Sequence, residues 1–321
     1  MKNKILIVTG DPNSINSEII YKCWKKINNS LKERIYFISN YNLINNQFKK
    51  LNYSIKIRKV NNINQKILSN DFKIINIDLK FTHPFNVPLK SSSKFIIKSL
   101  DLAHKYGLRN NVIGIINCAI DKRLLNKKKI GVTEYLSSKC KIKNNSEAML
   151  IRNNNLAVSP ITTHIDVKDI SKNIEIKTIV NKVKTIDLWY KKKLNKKPKI
   201  AVLGLNPHNA ELRKNSEENK KIIPAILRLQ KLKINLEGPL VADTIFINDY
   251  KKYDVIVGMY HDQVISPFKT LFKFDAINVT LGLKYLRVSP DHGIGANIIQ
   301  KNRANEISLL NCINFINNFK C

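Results

Sequence analysis

Apolar residues fall along the chain in two kinds of run. Short stretches rich in Ile, Val and Leu occupy residues 5–9, 34–39, 73–79, 111–118, 156–163, 199–205, 253–259 and 276–281. Several of them do not alternate apolar with polar, which predicts strands buried on both faces. Between them, apolar residues recur at helical spacing. The pattern predicts helices over 17–28, 93–106, 167–194 with a break near 175–177, 217–231, and 306–319. In the first, Ile19, Ile20, Cys23, Trp24 and Ile27 share one side. Pro224 falls inside the fourth run and is expected to kink it or delay its start, because proline has no N–H to donate. Strand–helix alternation of this kind predicts an α/β architecture.

The chain has 321 residues, 43% hydrophobic and 25% charged. That is a globular composition long enough for two domains rather than a disordered chain. No apolar run approaches the roughly 20 residues that span a bilayer, so no membrane association is expected. Ile5-Leu6-Ile7-Val8 is too short for the core of a signal peptide and reads as a first strand. The cysteines, Cys23, Cys118, Cys140, Cys312 and Cys321, are odd in number and form no CxxC pair. A disulfide framework is not expected, and a cytoplasmic location is.

Lys and Arg number 56 against 24 Asp and Glu, a formal charge of +32. Such an excess raises the possibility of a nucleic-acid partner. However, lysine is spread over the whole chain together with Asn and Ile, and no RNA-binding motif or aromatic platform stands out. A global compositional bias explains the excess better, and nucleic acid is the least favoured partner. The Lys- and Asn-rich stretches 61–66, 127–129, 191–197 and 214–221 read as solvated surface, with 191–197 a connector.

Of the six histidines, His164, His208, His261 and His292 lie just after predicted strands, where open α/β sheets bind ligands. Three imidazoles from three strand ends can converge on one metal ion and leave a coordination position for substrate. Each can equally be an ordinary surface histidine, and spacing alone leaves both readings open. Asp262 beside His261 is suited to orient a ligand or hold a proton. There is no GxGxxG and no GxxxxGK[ST], so any dinucleotide is held without those fingerprints.

Several motifs occur in order: Gly204-Leu205-Asn206-Pro207-His208, the run Gly238 to Thr244, Tyr260-His261-Asp262-Gln263, Asn278 to Leu283, Thr162-Thr163-His164 and Asp291-His292-Gly293. With them the chain resembles the 4-hydroxythreonine-4-phosphate dehydrogenase family of vitamin B6 synthesis nearly end to end. The resemblance implies an isocitrate/isopropylmalate dehydrogenase-like α/β fold with two domains and an active site in the cleft between them. Residues 1–126 with 288–321 would form the first domain and 127–287 the second. It implies NAD(P)-dependent oxidation of 4-phosphohydroxy-L-threonine, followed by decarboxylation to 3-amino-2-oxopropyl phosphate. It also implies a homodimer with an active site shared between subunits. Carried over residue by residue, His164, His208 and His261 would bind a divalent metal (zinc, magnesium or cobalt), and Thr133, Lys269, Asn278 and Arg287 the phosphorylated substrate. Asp291, His292 and Gly293 would meet the adenosine side of NAD or NADP. Asp243 and Asp262 are candidates for proton transfer.

Three segments depart from the family pattern. The Gly-rich continuation after Gly10-Asp11-Pro12 is replaced by Asn13 to Ser17, the expected Gly-His-Thr-Glu reads Gly131-Val132-Thr133-Glu134, and 117–122 lacks the usual small-residue and proline turn. Valine at 132 can neither donate a hydrogen bond nor carry charge. The departures keep two alternatives in view, a paralogue acting on another phosphorylated hydroxy acid such as phosphothreonate, and an activity-impaired homologue.

Overall fold

The structure is a computed structural model that describes residues 4–65, 70–109, 111–125, 131–142 and 146–319. The lysine run 127–129, the expected boundary at 126/127, Lys66 and Cys321 lie outside these residues. The chain divides into two compact units, Met1–Cys140 with Lys284–Phe319, and Lys141–Leu283. Thr133 and Arg287, placed in the second domain by the sequence reading, therefore belong to the first unit.

The described residues contain twelve strands: β1 (Lys4–Val8), β2 (Ile35–Ser39), β3 (Ile57–Val60), β4 (Phe72–Asn76), β5 (Val112–Asn117), β6 (Ala148–Arg152), β7 (Ala157–Thr162), β8 (Ile200–Leu203), β9 (Leu236–Leu240), β10 (Val255–Tyr260), β11 (Ile277–Leu281) and β12 (Leu286–Pro290). In the first unit the order is β3-β4-β2-β1-β5-β12, with every neighbouring pair parallel. Helices cover both faces, as neighbouring residues of β5 show. Gly114 meets Ile316 of the helix Ile307–Asn317, while Ile115 lies against Gly107 of the helix Leu89–Gly107. Successive strand residues point to opposite faces, so these two helices lie on opposite sides of the sheet.

One side of this core is aromatic. Phe37 and Phe72 stack with centroids 3.8 Å apart, and Trp24 meets both edge-on at 5.5 and 5.2 Å. Contacts of this kind add about 0.5–1.5 kcal/mol per pair beyond simple burial.

In the second unit the order is β11-β6-β7-β10-β8-β9. β7, β10, β8 and β9 run parallel, whereas β6 is antiparallel to both β7 and β11. The core under the parallel strands joins Val158, Ala201, Leu203 and Ile256 to Val264, Ile265 and Phe268 of the helix His261–Phe272.

All eight predicted strands are present. β3, β6, β9 and β12 escaped the pattern reading. β9 reads Leu-Glu-Gly-Pro-Leu at an edge of the second unit's strand order, where a strand can carry Gly and Pro. The long run over 167–194 breaks as expected, into Ile170–Asn173 and Ile176–Leu194. Pro224 also acts as expected: a wide π-turn at Glu218–Ile222 precedes the regular helix Ile223–Lys231. The reading of 214–221 as solvated surface needs correction, because Glu218 is 0% exposed and Ser216 is buried. The surrounding lysines disguised a carboxylate that has internal partners. No described helix is long and apolar enough to cross a membrane.

Lys73 in β4 is enclosed. Its Nζ donates to the Lys32 carbonyl at 2.8 Å and lies 5.3 Å from the Tyr36 ring centroid. Burial lowers its pKa to about 8. The folded chain therefore sheds this proton at lower pH than the unfolded chain, and folding gains stability as pH rises from about 8 toward the ordinary lysine value. In urea unfolding, wild-type stability relative to Lys73→Met should be flat below this window and climb through it. A difference that stays constant across the window would refute the assignment.

Candidate active site

The site in the second unit follows from strand register. Tyr260 at the end of β10 pairs with Thr162 at the end of β7. His261 and His164 follow one and two residues later, and their rings come together with centroids 5.8 Å apart. Thr162 Oγ1 donates to the Met259 carbonyl at 2.7 Å, a further tie between these strand ends. His261 opens the helix His261–Phe272, and its Nδ1 meets Asp262 Oδ1 at 2.8 Å. A carboxylate there fixes the tautomer with the proton on Nδ1 and leaves the Nε2 lone pair outward.

β8 lies on the other side of β10, and the segment after it carries His208. Gln263 ties the two strand ends: its Nε2 donates to the Gly204 carbonyl at 2.8 Å, and its Oε1 accepts from Met259 N–H at 2.6 Å. Gly204 has no room for a side chain, since a Cβ there would fall 2.1 Å from Asn209 Oδ1. Beyond it, Glu218 Oε1 accepts from the backbone N–H groups of Leu205 and Asn206, both at 2.8 Å, and Oε2 accepts from Asn206 Nδ2 at 3.1 Å. Burial alone would raise the Glu218 pKa, but the hydrogen bonds from Asn206 and its neighbours outweigh it and hold the group below the usual carboxylate range. Glu217 is likewise held low, by Ser171 and then Asn206.

His208 starts a left-handed turn in which His208, Asn209, Ala210, Glu211 and Leu212 all have φ between 44° and 55°. The turn is closed by Asn209 N–H donating to the Asn206 carbonyl at 3.1 Å, and Asn209 Nδ2 anchors it to the Pro239 carbonyl at 3.0 Å. His208 and Asp243 line a cavity of about 220 Å³ with Tyr260, Gln263, Asn206 and Val241.

The five residues His164, His208, Asp243, His261 and Asp262 thus all follow the carboxyl ends of the parallel strands. Among the described residues, no three His, Cys, Asp or Glu side chains are close enough to hold an ion together. The pair His164–His261 meets within one chain; the expected triad does not close within it. Lys269 is on the exposed face of the helix that His261 opens. Asn278 sits in β11 opposite Ile151 of β6, with Oδ1 shielded from solvent and without a hydrogen-bond partner among the described residues.

In the first unit, Arg287 of β12 is buried. Its Nε donates to Asn117 Oδ1 at 2.6 Å and its Nη1 to Thr133 Oγ1 at 3.4 Å. Burial lowers its pKa to about 10. Thr133 lies in the first turn of the helix Val132–Lys139. Asp291 N–H donates to Ser308 Oγ at 2.8 Å, His292 Nδ1 meets the Gly293 carbonyl at 2.8 Å, and a Cβ on Gly293 would meet nothing within 4 Å among the described residues. The sequence reading missed Glu217 and Glu218; a Glu-Glu pair in a lysine-rich stretch ahead of Ile222, Ile223 and Pro224 was the only available signal.

The family model for the pyridoxal phosphate biosynthetic protein PdxA matches residues 30–316. A 4-hydroxythreonine-4-phosphate dehydrogenase from Aquifex aeolicus is 35% identical over 237 residues, 73% of each chain. A putative D-threonate 4-phosphate dehydrogenase from Oceanobacillus iheyensis is 46% identical over 121 residues, 37% of this chain and 36% of its own. The crystal structure of a 4-hydroxythreonine-4-phosphate dehydrogenase from Klebsiella pneumoniae shares the fold, with a TM-score of 0.84, 24% identity and 98% of both chains covered.

Left-handed backbone costs an L residue roughly 1–2 kcal/mol, and glycine escapes that cost at an entropic penalty of about 0.5–1 kcal/mol. Exposed Glu211, with φ 44°, should therefore tolerate glycine. Glu211→Gly is expected to stabilise the fold by up to about 1 kcal/mol, read as a higher melting temperature. Clear destabilisation would show that this turn is not left-handed in solution.

Proposed function

The chain belongs to the pyridoxal phosphate biosynthetic protein PdxA family, and on that premise we propose that it is a metal- and NAD(P)-dependent dehydrogenase of 4-phosphohydroxy-L-threonine. The product after decarboxylation would be 3-amino-2-oxopropyl phosphate, in the supply of pyridoxal 5'-phosphate. One observation carries the reading: His164 and His261 bring their rings together at the ends of β7 and β10, and Tyr260 and Gln263, on either side of His261-Asp262, line a cavity with Asp243 and His208.

The residues fit a divalent ion. His261 has its Nδ1 held by Asp262, the arrangement that keeps a metal-binding imidazole in its useful tautomer. In this reading His164 and His261 supply two ligands and the third imidazole, His208, comes from a second copy of the chain in a homodimer. When bound, the ion supplies Lewis acidity and NAD or NADP a hydride acceptor. The protein's own groups bind and orient the substrate. Asp243, exposed at the cavity, would take the proton from the substrate hydroxyl. Lys269 would offer its ammonium to the phosphate. Asn278 Oδ1 is an acceptor awaiting a donor such as a substrate ammonium. Arg287, with two donors engaged by Asn117 and Thr133, would aim the Thr133 hydroxyl at substrate. Asp291, His292 and Gly293 would take the adenosine side of the cofactor; the open space over Gly293 suits that role.

Val132 favours a second reading. It opens the helix Val132–Lys139 with a side chain that can make no polar contact, and loss of one charge-assisted contact costs on the order of 1.5–3 kcal/mol. That is up to about two powers of ten in binding. A phosphorylated hydroxy acid that does not need the contact, such as threonate 4-phosphate, would then be the better substrate.

The test is NAD(P) reduction by chelated protein with zinc, magnesium or cobalt restored, offered either 4-phosphohydroxy-L-threonine or threonate 4-phosphate. Metal-dependent turnover of the amino acid supports the first reading, and turnover of the threonate alone supports the second. No metal-dependent reduction of either would overturn both. His261→Ala should abolish tight metal binding and turnover together. Asp262→Asn should weaken metal binding about 10-fold or more, as loss of an outer carboxylate does. Unchanged metal content in His261→Ala would remove that histidine from the site.

A further inference from the structure

We propose that Glu218 is the positioning residue for His208, fixing through its carboxylate the segment that presents this imidazole to the metal. The proposal deepens the reading of His208 as a metal ligand and rests on it.

The chain from Glu218 to His208 has little freedom left. Glu218 is 0% exposed, and its Oε1 takes the backbone N–H groups of both Leu205 and Asn206. Its Oε2 takes the Asn206 side chain, which Glu217 Oε2 also engages, at 2.9 Å. The carboxylate thus captures successive donors just past the end of β8, where no helix or strand partner would satisfy them. Pro207 comes next and locks its own φ, and it confines Asn206 to extended backbone, observed as φ −89° and ψ 155°. His208 follows at once, and Asn209 clamps its far side on the Asn206 and Pro239 carbonyls. His208 is therefore bracketed by two anchors, and Glu218 is the charged one.

Glu217 and Glu218, adjacent in sequence, both meet Asn206. A π-turn begins at Glu218, closed by Ile223 N–H on the Glu218 carbonyl. π-turns recur at functional sites.

Replacing Glu218 by Gln keeps the shape but sets an amide donor against the Asn206 amide donor or against the two backbone N–H groups. One anchor is then broken whichever way the amide turns. The metal-free full-length protein is titrated with Co²⁺ in a calorimeter, and its melting is recorded without metal. Wild type should bind Co²⁺ and His208→Ala should lose that binding. Glu218→Gln should melt lower than the wild type and, while still folded at the titration temperature, bind Co²⁺ at least ~10-fold more weakly, the scale on which outer-sphere partners act. Asn206→Ala, which spares the backbone contacts, should show a smaller loss in the same direction and serves where Glu218→Gln is unstable. A purely structural glutamate would lower the melting temperature in the same way but leave Co²⁺ affinity of the folded protein intact, so the affinity decides. Wild-type affinity in both Glu218→Gln and Asn206→Ala, with binding lost in His208→Ala, would overturn the positioning role while leaving the metal reading standing. Equal Co²⁺ binding by wild type and His208→Ala would overturn the metal reading of His208, and this proposal with it.

Discussion

The parallel pairing of β10 with β7, in the register that sets Tyr260 beside Thr162, is the constraint from which the site in the second unit is built. Two histidines separated by 97 positions reach one another because each is a short step beyond the end of its strand. Sliding this register by one residue would turn every side chain of β10 to the opposite face, taking Val255, Val257 and Met259, all fully buried, out of their present packing. The same packing that stabilises the sheet therefore holds the two rings within 5.8 Å.

β8 is bound to β10 on the opposite side, and its histidine, His208, comes later after the strand's end at Leu203 than His261 does after Tyr260. Unlike the β7–β10 pair, the segment leading to His208 cannot rely on ladder hydrogen bonds. Side chains take over that role: Gln263 joins the Gly204 carbonyl to Met259, Glu218 gathers the next two N–H groups, and Asn209 reaches the Pro239 carbonyl. The residues that meet there, Asn206, Pro207, His208 and Gln263, sit in motifs separated by more than fifty positions. Their common purpose is to give an irregular backbone a single conformation.

In the first unit the same economy is visible around Arg287. A buried guanidinium needs acceptors, and Asn117 and Thr133 supply two. Thr133 adjoins Val132, so this polar cluster sits beside a side chain that can make no polar contact.

Much of this protein was determined by its sequence alone. Short unbroken apolar runs such as Ile5 to Val8 or Val255 to Val257 read as doubly covered strands, and Ile19, Cys23 and Trp24 mark a helix face, because local periodicity mirrors local burial. The ordered motifs gave away the family, and with it the histidines to watch. What only tertiary structure decided is which of those histidines meet, that Glu218 in a lysine-rich stretch is enclosed, that Arg287 is clamped by Asn117, and that Thr133 belongs to the first unit. These are outcomes of strand order and register between segments far apart in the chain, and no local pattern encodes the distance between two strand ends. β9 and β12 were unreadable for a related reason. A strand containing Gly and Pro, or Arg and Pro, is specified by the neighbour it pairs with rather than by its own propensity.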